Sequence, residues 1–216
     1  AKLAQQIWDK RAELILDVPS GSIDEMIDKS GDYTETVFIS DSGDNTTAGA
    51  PGDNPQVLDA LLRKQAKKAL FAGLVDPEAL NKCRLAGVNN TVTLNVGGKV
   101  DYIFGKPLSI KGKVTYLTPD AVMNTNRGAG VIEVGGVTVV LLKARRSFVT
   151  VNDFEEVNLN PLDYHIVVVK LGYLYPELRD IAPVHLMALT SGFCNLDMRT
   201  LPFNQVKRPT YPLAKE

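Results

Sequence analysis

The 216-residue sequence predicts an α/β fold: a mixed sheet with βα units and a β-rich antiparallel insertion at about residues 97–146. Short apolar, β-branched runs alternate with helical patterns before residue 97 and after residue 146. Between these positions glycine and β-branched residues dominate, and no helical pattern recurs. We therefore predict one domain over residues 1–216, with residues 1–96 and 147–216 as its α/β core.

The segment before residue 54 alternates helical and strand patterns. Apolar residues recur at helical spacing over residues 2–16, which predicts an amphipathic helix. Ser22 and Glu25 form a capping-box pattern at the start of a second helix, and Gly31 is suited to end it. The β-rich run at residues 36–40 predicts the first strand.

A strong helix start follows at Asn54 and Pro55, because Asn is a good N-cap residue and Pro suits the first helical position. The apolar run at residues 165–170 predicts a strand that is covered on both faces. The remaining patterns predict, in chain order, a strand at 69–75, a helix over 76–87, strands at 90–96, 108–117 and within 130–143, a strand at 147–151, a helix from 175, a strand at 185–189 and an extended tail at 201–213.

The composition is ordinary for a soluble globular protein and argues against several classes of function. The net charge of −1 gives no field that would recruit nucleic acid or an anionic membrane, and the basic clusters at 143–146 and 207–208 read as solvated turns. No apolar run is long enough to span a bilayer. Cys83 and Cys194 stand far apart, as thiols in a reducing cytoplasm often do. We predict a cytoplasmic protein that contacts neither nucleic acid nor membrane.

The most distinctive segment is the 41–53 loop, which holds three Asp, three Gly and one Pro between a predicted strand and a predicted helix. A strand that leads into a glycine-rich loop and then a helix is a common way to build a binding site. Its candidate substrate-binding or interface residues are Asp41, Asp44, Asn45, Gly49, Pro51, Gly52 and Asp53.

Two interpretations of the loop aspartates remain. Asp41, Asp44 and Asp53 could ligate a hard cation such as magnesium or calcium, although their spacing is not that of an EF-hand. Alternatively, Asp44 makes a turn and Asp53 or Asn54 caps the following helix, which is the interpretation we favour. Gly49 and Gly52 permit positive backbone angles or the close approach of a partner.

Polar residues also follow two later strands of the predicted sheet. Lys170 ends the apolar run at 165–170, and Thr190 and Ser191 follow the last strand. If these strands lie parallel to the first one, all three loops meet at one edge of the sheet, where α/β proteins bind ligands. Lys170 could then bind an anion or pair with a loop aspartate, or it could extend to solvent.

The sequence lacks the common catalytic motifs. It contains two histidines, His165 and His185, and no H-E-x-x-H, C-x-x-C, G-x-S-x-G or phosphate-binding motif. We therefore assign no catalytic residue, metal ligand or cofactor to this chain. A histidine near a serine, such as His185 near Ser191, is interpreted as core packing.

The motifs of this chain resemble those of the C-terminal domain of microcystinase C (MlrC)-like metallopeptidases. The 44–53 stretch resembles a D-N-x-x-x-G-A-P-G-D signature, and residues 97–108 resemble a G-G-K…G-x-P-L stretch. Lys170 matches a strand that ends in lysine, and residues 190–192 resemble T-P-G with Ser191 in place of Pro. The ending over residues 201–213 resembles L-P-Y…R-R-P-x-x-P-L.

The resemblance implies a two-part enzyme whose N-terminal half carries zinc and hydrolyses an amide bond. This chain resembles the C-terminal half, and its start at Ala1, directly in a helical pattern, leads us to expect a piece of a longer polypeptide. One departure concerns the S-x-x-H-F-R type segment that many members have after the lysine. Residues 171–176 read L-G-Y-L-Y-P instead, so the histidine and arginine are absent. The change implies a subfamily with a different substrate, or one without the toxin-degrading activity.

These observations lead to two main hypotheses. In the first, the chain is an accessory domain of an MlrC-like zinc hydrolase, inactive alone, whose 41–53 loop and Lys170 complete the substrate cleft or a domain interface. Its partner would be the N-terminal catalytic half, in the same or a separate chain, or a second copy in a homo-oligomer. In the second, it is a free-standing module that binds a small molecule or partner without catalysis. A magnesium-dependent enzyme that uses the three aspartates is a third alternative.

Overall fold

Nine strands form one mixed sheet in the computed structural model, which describes residues 2–213. The strands are β1 Ser20–Gly21, β2 Val37–Asp41, β3 Ala69–Val75, β4 Thr91–Val96, β5 Leu108–Leu117, β6 Ala129–Val134, β7 Val137–Leu142, β8 Ile166–Val169 and β9 Val184–Ala188. The helices are α1 Lys2–Asp9, α2 Ile23–Ser30, α3 Gln56–Arg63, α4 Pro77–Ala86, α5 Asp120–Met123, α6 Val151–Glu155 and α7 Pro176–Ile181. Short 3-10 turns occupy Pro161–Asp163 and Met198–Thr200.

The order of strands is β1-β9-β2-β8-β3-β7-β6-β5-β4. From β1 to β7 each neighbouring pair is parallel, and from β7 to β4 each pair is antiparallel. The mixed α/β class predicted from the sequence is confirmed. The β-rich region at 97–146 supplies β5, β6 and β7, which extend the same sheet as an antiparallel wing.

Helices cover both faces of the sheet, which explains the continuous apolar runs of the central strands. Along β8, Ile166 and Val168 pack into the core on one face, while Val167 and Val169 pack into the core on the other. Buried side chains of α2, α3 and α4 belong to the first core, and those of α6 and α7 belong to the second. A parallel strand between two helical layers is buried on both faces, so it needs no polar alternation.

Several predicted helix caps and strands are confirmed, and each depends on residues that are close in sequence. The Ser22 hydroxyl accepts from the Glu25 N–H, and the Glu25 carboxylate accepts from the Ser22 N–H, which forms the capping box of α2. Gly31 is the C-cap of that helix. The strand at Ala69–Val75 and the helix that follows Asp76 lie where the sequence predicts them.

The strand predicted at residues 147–151 is wrong. This segment is a loop that leads into α6, because Thr150 and Asp153 form a second capping box. The β-branched residues Val149, Thr150 and Val151 favour a strand, yet the hydrogen bonds of the cap satisfy the first free N–H groups of a helix. The helix α5, at Asp120–Met123, was also missed in the β-rich region.

The predicted helix over residues 2–16 is too long. Helix α1 ends at Asp9 and has no buried residue, so its apolar side chains Leu3 and Ile7 face solvent. Its Trp8 ring contacts Tyr211 of the C-terminal tail, with ring centroids 6.0 Å apart. That tail has turns and no strand over its described residues 201–213. Within residues 2–213, no helix has both the length and the apolar character needed to cross a bilayer.

Candidate functional site

The loops after β2, β8 and β9 meet at one edge of the sheet, which we call the carboxyl edge. These three strands are neighbours and run parallel, with β2 in the middle. The arrangement brings together four buried polar residues that we call the edge cluster: Asp41, Asp44, Lys170 and Thr190. The sequence analysis expected these three loops to meet if their strands were parallel. The strands are parallel, and the loops do meet.

Lys170 lies at the centre of the edge cluster and is almost completely buried. Its Nζ donates to Asp41 Oδ2 at 3.0 Å, to Asp44 Oδ2 at 2.7 Å and to the Asn54 carbonyl at 2.8 Å. An ammonium group has three hydrogens, so its donor capacity is filled. Of the roles considered for Lys170, the structure shows the ion pair with loop aspartates; its side chain does not extend to solvent.

Two carboxylates face one ammonium group in this buried cluster. Burial by itself would lower the pKa of Lys170, but the adjacent Asp41 and Asp44 carboxylates raise it above its ordinary value. Burial raises the pKa of Asp44; the Lys170 ammonium opposes this rise and the Asp41 carboxylate adds to it. Lys170 is therefore a permanent cation at neutral pH, held in place by its carboxylate neighbours.

Asp44 folds the 41–53 loop back on itself. Its Oδ1 accepts from the Gly52 N–H at 2.8 Å, and its Oδ2 accepts from the Asn54 N–H at 2.9 Å. Gly52 has a φ of +82°, and a Cβ there would lie 2.7 Å from the Thr46 methyl carbon. Gly49 has a φ of +109° with open space around it. The positive backbone angles predicted for both glycines are confirmed.

Asp41 and Thr190 tie the first loop to the last one. The Thr190 hydroxyl donates to Asp41 Oδ1 at 2.6 Å and accepts from the Gly43 N–H at 2.8 Å. A Cβ on Gly43 would lie 2.2 Å from the Thr190 carbonyl oxygen, and a Cβ on Gly192 would lie 2.2 Å from the Gly43 carbonyl oxygen. The two loops therefore pack backbone against backbone.

Asp53 holds a different segment, residues 97–107, which we call the 97–107 loop. Its carboxylate accepts from the N–H groups of Lys99 at 2.8 Å, Val100 at 2.6 Å and Asp101 at 3.1 Å. The proposed helix-capping role of Asp53 is therefore wrong, because its carboxylate oxygens accept hydrogen bonds from the 97–107 loop, which is distant in sequence. The N-cap of α3 is Pro55, one residue later than predicted, although Asn54 Oδ1 accepts from the Gln56 N–H at 3.1 Å.

Sequence reasoning missed two buried aspartates that complete this edge. Asp101 accepts from the Phe104 N–H at 2.9 Å and from the Asn54 side-chain amide at 3.2 Å. Asp76 caps α4 and also accepts from the Gly97 N–H and from Lys99 Nζ. In the sequence, the position of Asp76 at the start of a predicted helix indicated a helix cap. For Asp101, the nearby Gly97-Gly98 pair indicated only a turn.

The carboxylates of the loop aspartates accept hydrogen bonds from backbone N–H groups, from Lys170 and from Thr190. Their oxygens are therefore already engaged within the protein. Within residues 2–213, no group of three His, Cys, Asp or Glu side chains is placed to hold a metal ion. The hydrogen bonds that Asp44 accepts from the Gly52 and Asn54 N–H groups are those expected from the turn interpretation. The polar atoms of the edge cluster already have hydrogen-bond partners, so the cluster serves to fix the shape of the carboxyl edge.

The exposed part of the edge consists of other predicted residues. Ser191 and Gly49 are exposed, and Asn45 and Pro51 are half-buried. The Asn45 side chain accepts from the Thr47 N–H at 3.0 Å, and the Ser191 carbonyl accepts from the Asn54 side-chain amide at 3.2 Å. These residues form the accessible surface above the buried edge cluster.

His185 does not pair with Ser191. Its Nε2 lies 2.9 Å from the hydroxyl oxygen of Ser40, a residue with no exposed surface. Burial lowers the pKa of His185 to about 4, with the Asp17 carboxylate acting in the opposite direction. Because Ser40 is inaccessible to a substrate, this pair is a core contact, as the sequence analysis favoured for this histidine.

Comparison with known proteins identifies the family. A family model described as the MlrC C-terminus matches residues 39–205, well over half of the chain. Microcystinase C from Sphingomonas sp. is 28% identical over 140 residues, which cover 62% of this chain and 28% of that protein.

A similar fold occurs in a crystal structure from Mesorhizobium sp. BNC1, described as a candidate metallopeptidase. The match has a TM-score of 0.78 at 24% sequence identity and covers 100% of this chain and 45% of the other chain. At this identity the likeness concerns the fold. The matched parts amount to less than half of the length of either relative.

Substitution of Lys170 by Met should lower the free energy of unfolding by about 3–5 kcal/mol, because two carboxylates stay buried without their cation. Lys82→Met is the control: Lys82 is half exposed and pairs with Glu78 one helical turn away, so we expect a loss of at most about 0.5 kcal/mol. Chemical denaturation measures both. Equal losses for the two variants would contradict the central role of Lys170.

Gly97→Ala should destabilise the protein more than Gly135→Ala. Both glycines have a positive φ, +70° and +63°, so each variant carries a similar backbone strain. A Cβ on Gly97 would lie 2.4 Å from the Asp53 carbonyl oxygen, whereas one on Gly135 meets nothing within 4 Å. We expect a loss of about 1 kcal/mol for Gly135→Ala and about 2–4 kcal/mol for Gly97→Ala, measured by thermal and chemical denaturation. A smaller effect at Gly97 would argue against tight packing of the 97–107 loop.

His185 should make the protein less stable in mild acid. Its folded-state pKa of about 4 lies below the unfolded value of about 6.5, so between these values only the unfolded chain binds the proton. The free energy of unfolding therefore falls as pH drops from about 6.5 to about 4, by about 1–3 kcal/mol after allowance for partial exposure. His185→Gln should remove this part of the pH dependence, and His165→Gln should retain it. Denaturation curves at about pH 7 and pH 4.5 decide.

Proposed function

Because this chain belongs to the MlrC C-terminus family, we propose that it is the accessory C-terminal domain of a larger zinc-dependent amide or peptide hydrolase. The observation that carries the proposal is the family match over residues 39–205, in a fold that accounts for 45% of a candidate metallopeptidase. In this proposal the remaining part of the protein holds the catalytic residues. The domain described by residues 2–213 supplies one wall of the substrate cleft.

The zinc in this proposal belongs to the part of the longer relatives that this chain does not cover. The described residues do not fit as its holder, since no three potential ligands among residues 2–213 are grouped to bind a metal ion. A zinc ion in a hydrolase polarises the scissile carbonyl and activates water. The residues of this chain contribute position and shape to that chemistry.

The edge cluster suits a wall better than a reactive group. Lys170, Asp41 and Asp44 are buried and hydrogen-bonded to one another and to the loops they join. Such a network fixes the loops in one arrangement before a substrate arrives, which reduces the entropy lost on binding. The exposed Ser191 and the half-buried Asn45 would then contact the substrate or the catalytic part.

The segment after Lys170 supports a substrate that differs from that of the many members with an S-x-x-H-F-R type segment. Here Leu171 and Leu174 are buried and pack in the second core, while Tyr173 is about half exposed. The histidine and arginine of the S-x-x-H-F-R type segment have no counterpart within residues 171–176. We infer that Tyr173 offers an aromatic surface in place of those two side chains.

The first experiment is to purify the native assembly that contains this chain and to determine its intact mass, zinc content and activity on amide and peptide substrates. We expect a longer polypeptide or a co-purifying chain, about one zinc ion per assembly as in mononuclear catalytic sites, and loss of hydrolysis when the present domain is deleted. Undiminished activity after the deletion would contradict the accessory role. A lone metal-free chain of 216 residues would instead favour a binding module without catalysis.

A bulky side chain at the proposed wall should impair the reaction without unfolding the domain. Ser191→Trp in the zinc-loaded assembly should reduce kcat/KM at least about tenfold, about 1.4 kcal/mol, because the exposed site would be obstructed. Thr93→Trp is the matched control, since Thr93 is exposed on β4 at the far edge of the sheet. Equal activity of the two variants would place the cleft elsewhere.

A further inference from the structure

Four apolar side chains stand exposed beside the carboxyl edge, and we call them the apolar cap: Val100, Tyr102, Ile103 and Phe193. Tyr102 is 78% exposed and Ile103 is 62% exposed. Phe193 belongs to the loop after β9, yet its ring lies edge-on to the Phe104 ring with centroids 6.3 Å apart. This ring contact joins the loop after β9 to the 97–107 loop, which carries the other three exposed side chains.

The backbone under the apolar cap is held in place by hydrogen bonds to two buried aspartates, Asp53 and Asp101. Three consecutive N–H groups, of Lys99, Val100 and Asp101, donate to the Asp53 carboxylate. The Asp101 side chain accepts from the Phe104 N–H, and the Asp101 carbonyl accepts from the Gly105 N–H at 2.9 Å. The loop thus has a fixed backbone and exposed apolar side chains. A surface ordered in advance loses little entropy when a partner covers it.

The surroundings of the apolar cap have the layout of a protein interface. Next to Phe104 lies a groove of about 340 Å³. Polar side chains of Gln56, Asp59 and Lys106 line it together with the apolar Pro55, Pro107 and Leu108. An apolar centre bordered by polar residues, with an exposed tyrosine, is typical of protein–protein contacts.

We propose that the apolar cap is the docking surface for the part of the longer MlrC-like protein that this chain does not cover, and that Tyr102 and Ile103 enter an apolar recess on it. This inference rests on the proposed function. The relative of known structure is more than twice as long as its match here, so a large partner surface is available. The loop that carries the cap is also linked to the proposed cleft wall, because the Asn54 side-chain amide donates to both Asp101 and the Ser191 carbonyl.

The second exposed apolar set, on α1 and at Leu14 and Ile15, is a weaker candidate for this partner. It lies outside residues 39–205, which the family model matches. Helix α1 has no buried residue that would fix its position. The apolar cap lies inside the matched residues and has a fixed backbone.

The test compares two single-cysteine probes, Ile103→Cys and Leu85→Cys, in the native assembly. Leu85 is 73% exposed on α4, so both positions are accessible in this domain considered alone. N-ethylmaleimide labelling is followed by peptide mass spectrometry, which separates the probes from Cys83 and Cys194. We expect the Ile103→Cys probe to react at least about tenfold more slowly than the Leu85→Cys probe in the assembly, because buried interface positions exclude reagent. In the 216-residue chain alone, we expect the two probes to react at similar rates.

Equal rates in an assembly that contains zinc and is active would overturn the apolar-cap inference and leave the proposed function standing. A native preparation consisting of this chain alone, without metal, would instead overturn the proposed function and the inference with it. Protection of Ile103→Cys in the lone chain, lost on dilution, would identify a second copy as the occupant and reject the one proposed. Finally, Tyr102→Ser combined with Ile103→Ser should accelerate labelling of a cysteine probe at Val100 in the assembly. An unchanged rate would overturn docking through this pair.

Discussion

A single buried ammonium group determines how the carboxyl edge of this domain is arranged. Lys170 Nζ binds Asp41, Asp44 and the Asn54 carbonyl, and so joins residues from β2, from the loop after it and from the end of β8. Attraction between opposite charges is strong where water is excluded, but removing the charges from water is costly. A buried ion pair is therefore weak evidence for high stability. It is good evidence for a fixed geometry, because any other arrangement would leave a charge without a partner.

This geometry shapes what the domain offers to other molecules. The carboxylates of Asp44 and Asp53 accept backbone N–H groups from two separate loops, and Thr190 links a third. Because these polar groups are hydrogen-bonded within the protein, their main effect is to fix the conformation of the loops at this edge. The accessory role that we propose rests on membership of the MlrC C-terminus family and on a match that spans less than half of the length of the relatives. The exposed surface carries a polar portion around Ser191 and an apolar portion around Tyr102.

Local signals predicted local structure well where they agreed with one another. They failed where two local signals competed and where no tertiary surface supported the pattern. The capping box of Ser22 and Glu25 and the strand Ala69–Val75 depend on neighbours in sequence, and both were found as predicted. At residues 147–151, β-branched composition indicated a strand, but the cap formed by Thr150 and Asp153 starts a helix. Helical spacing over residues 2–16 overstated α1, because the described structure offers no surface that buries its apolar side chains.

The sequence by itself determined the α/β class, the position of the 41–53 loop and the family, since periodicity, glycine placement and motif order are written along the chain. It also showed which three loops would meet if the strands were parallel. Only the tertiary structure decided that these strands are parallel and that the loop aspartates accept hydrogen bonds from within the protein. The physical reason is the distance in sequence between partners: Lys170 is 126 positions from Asp44, and Asp53 accepts hydrogen bonds from residues 46–48 positions away. Hydrogen bonds of this range leave no periodic pattern, so an acidic loop that binds a ligand and one that binds its own backbone look alike until the chain is folded.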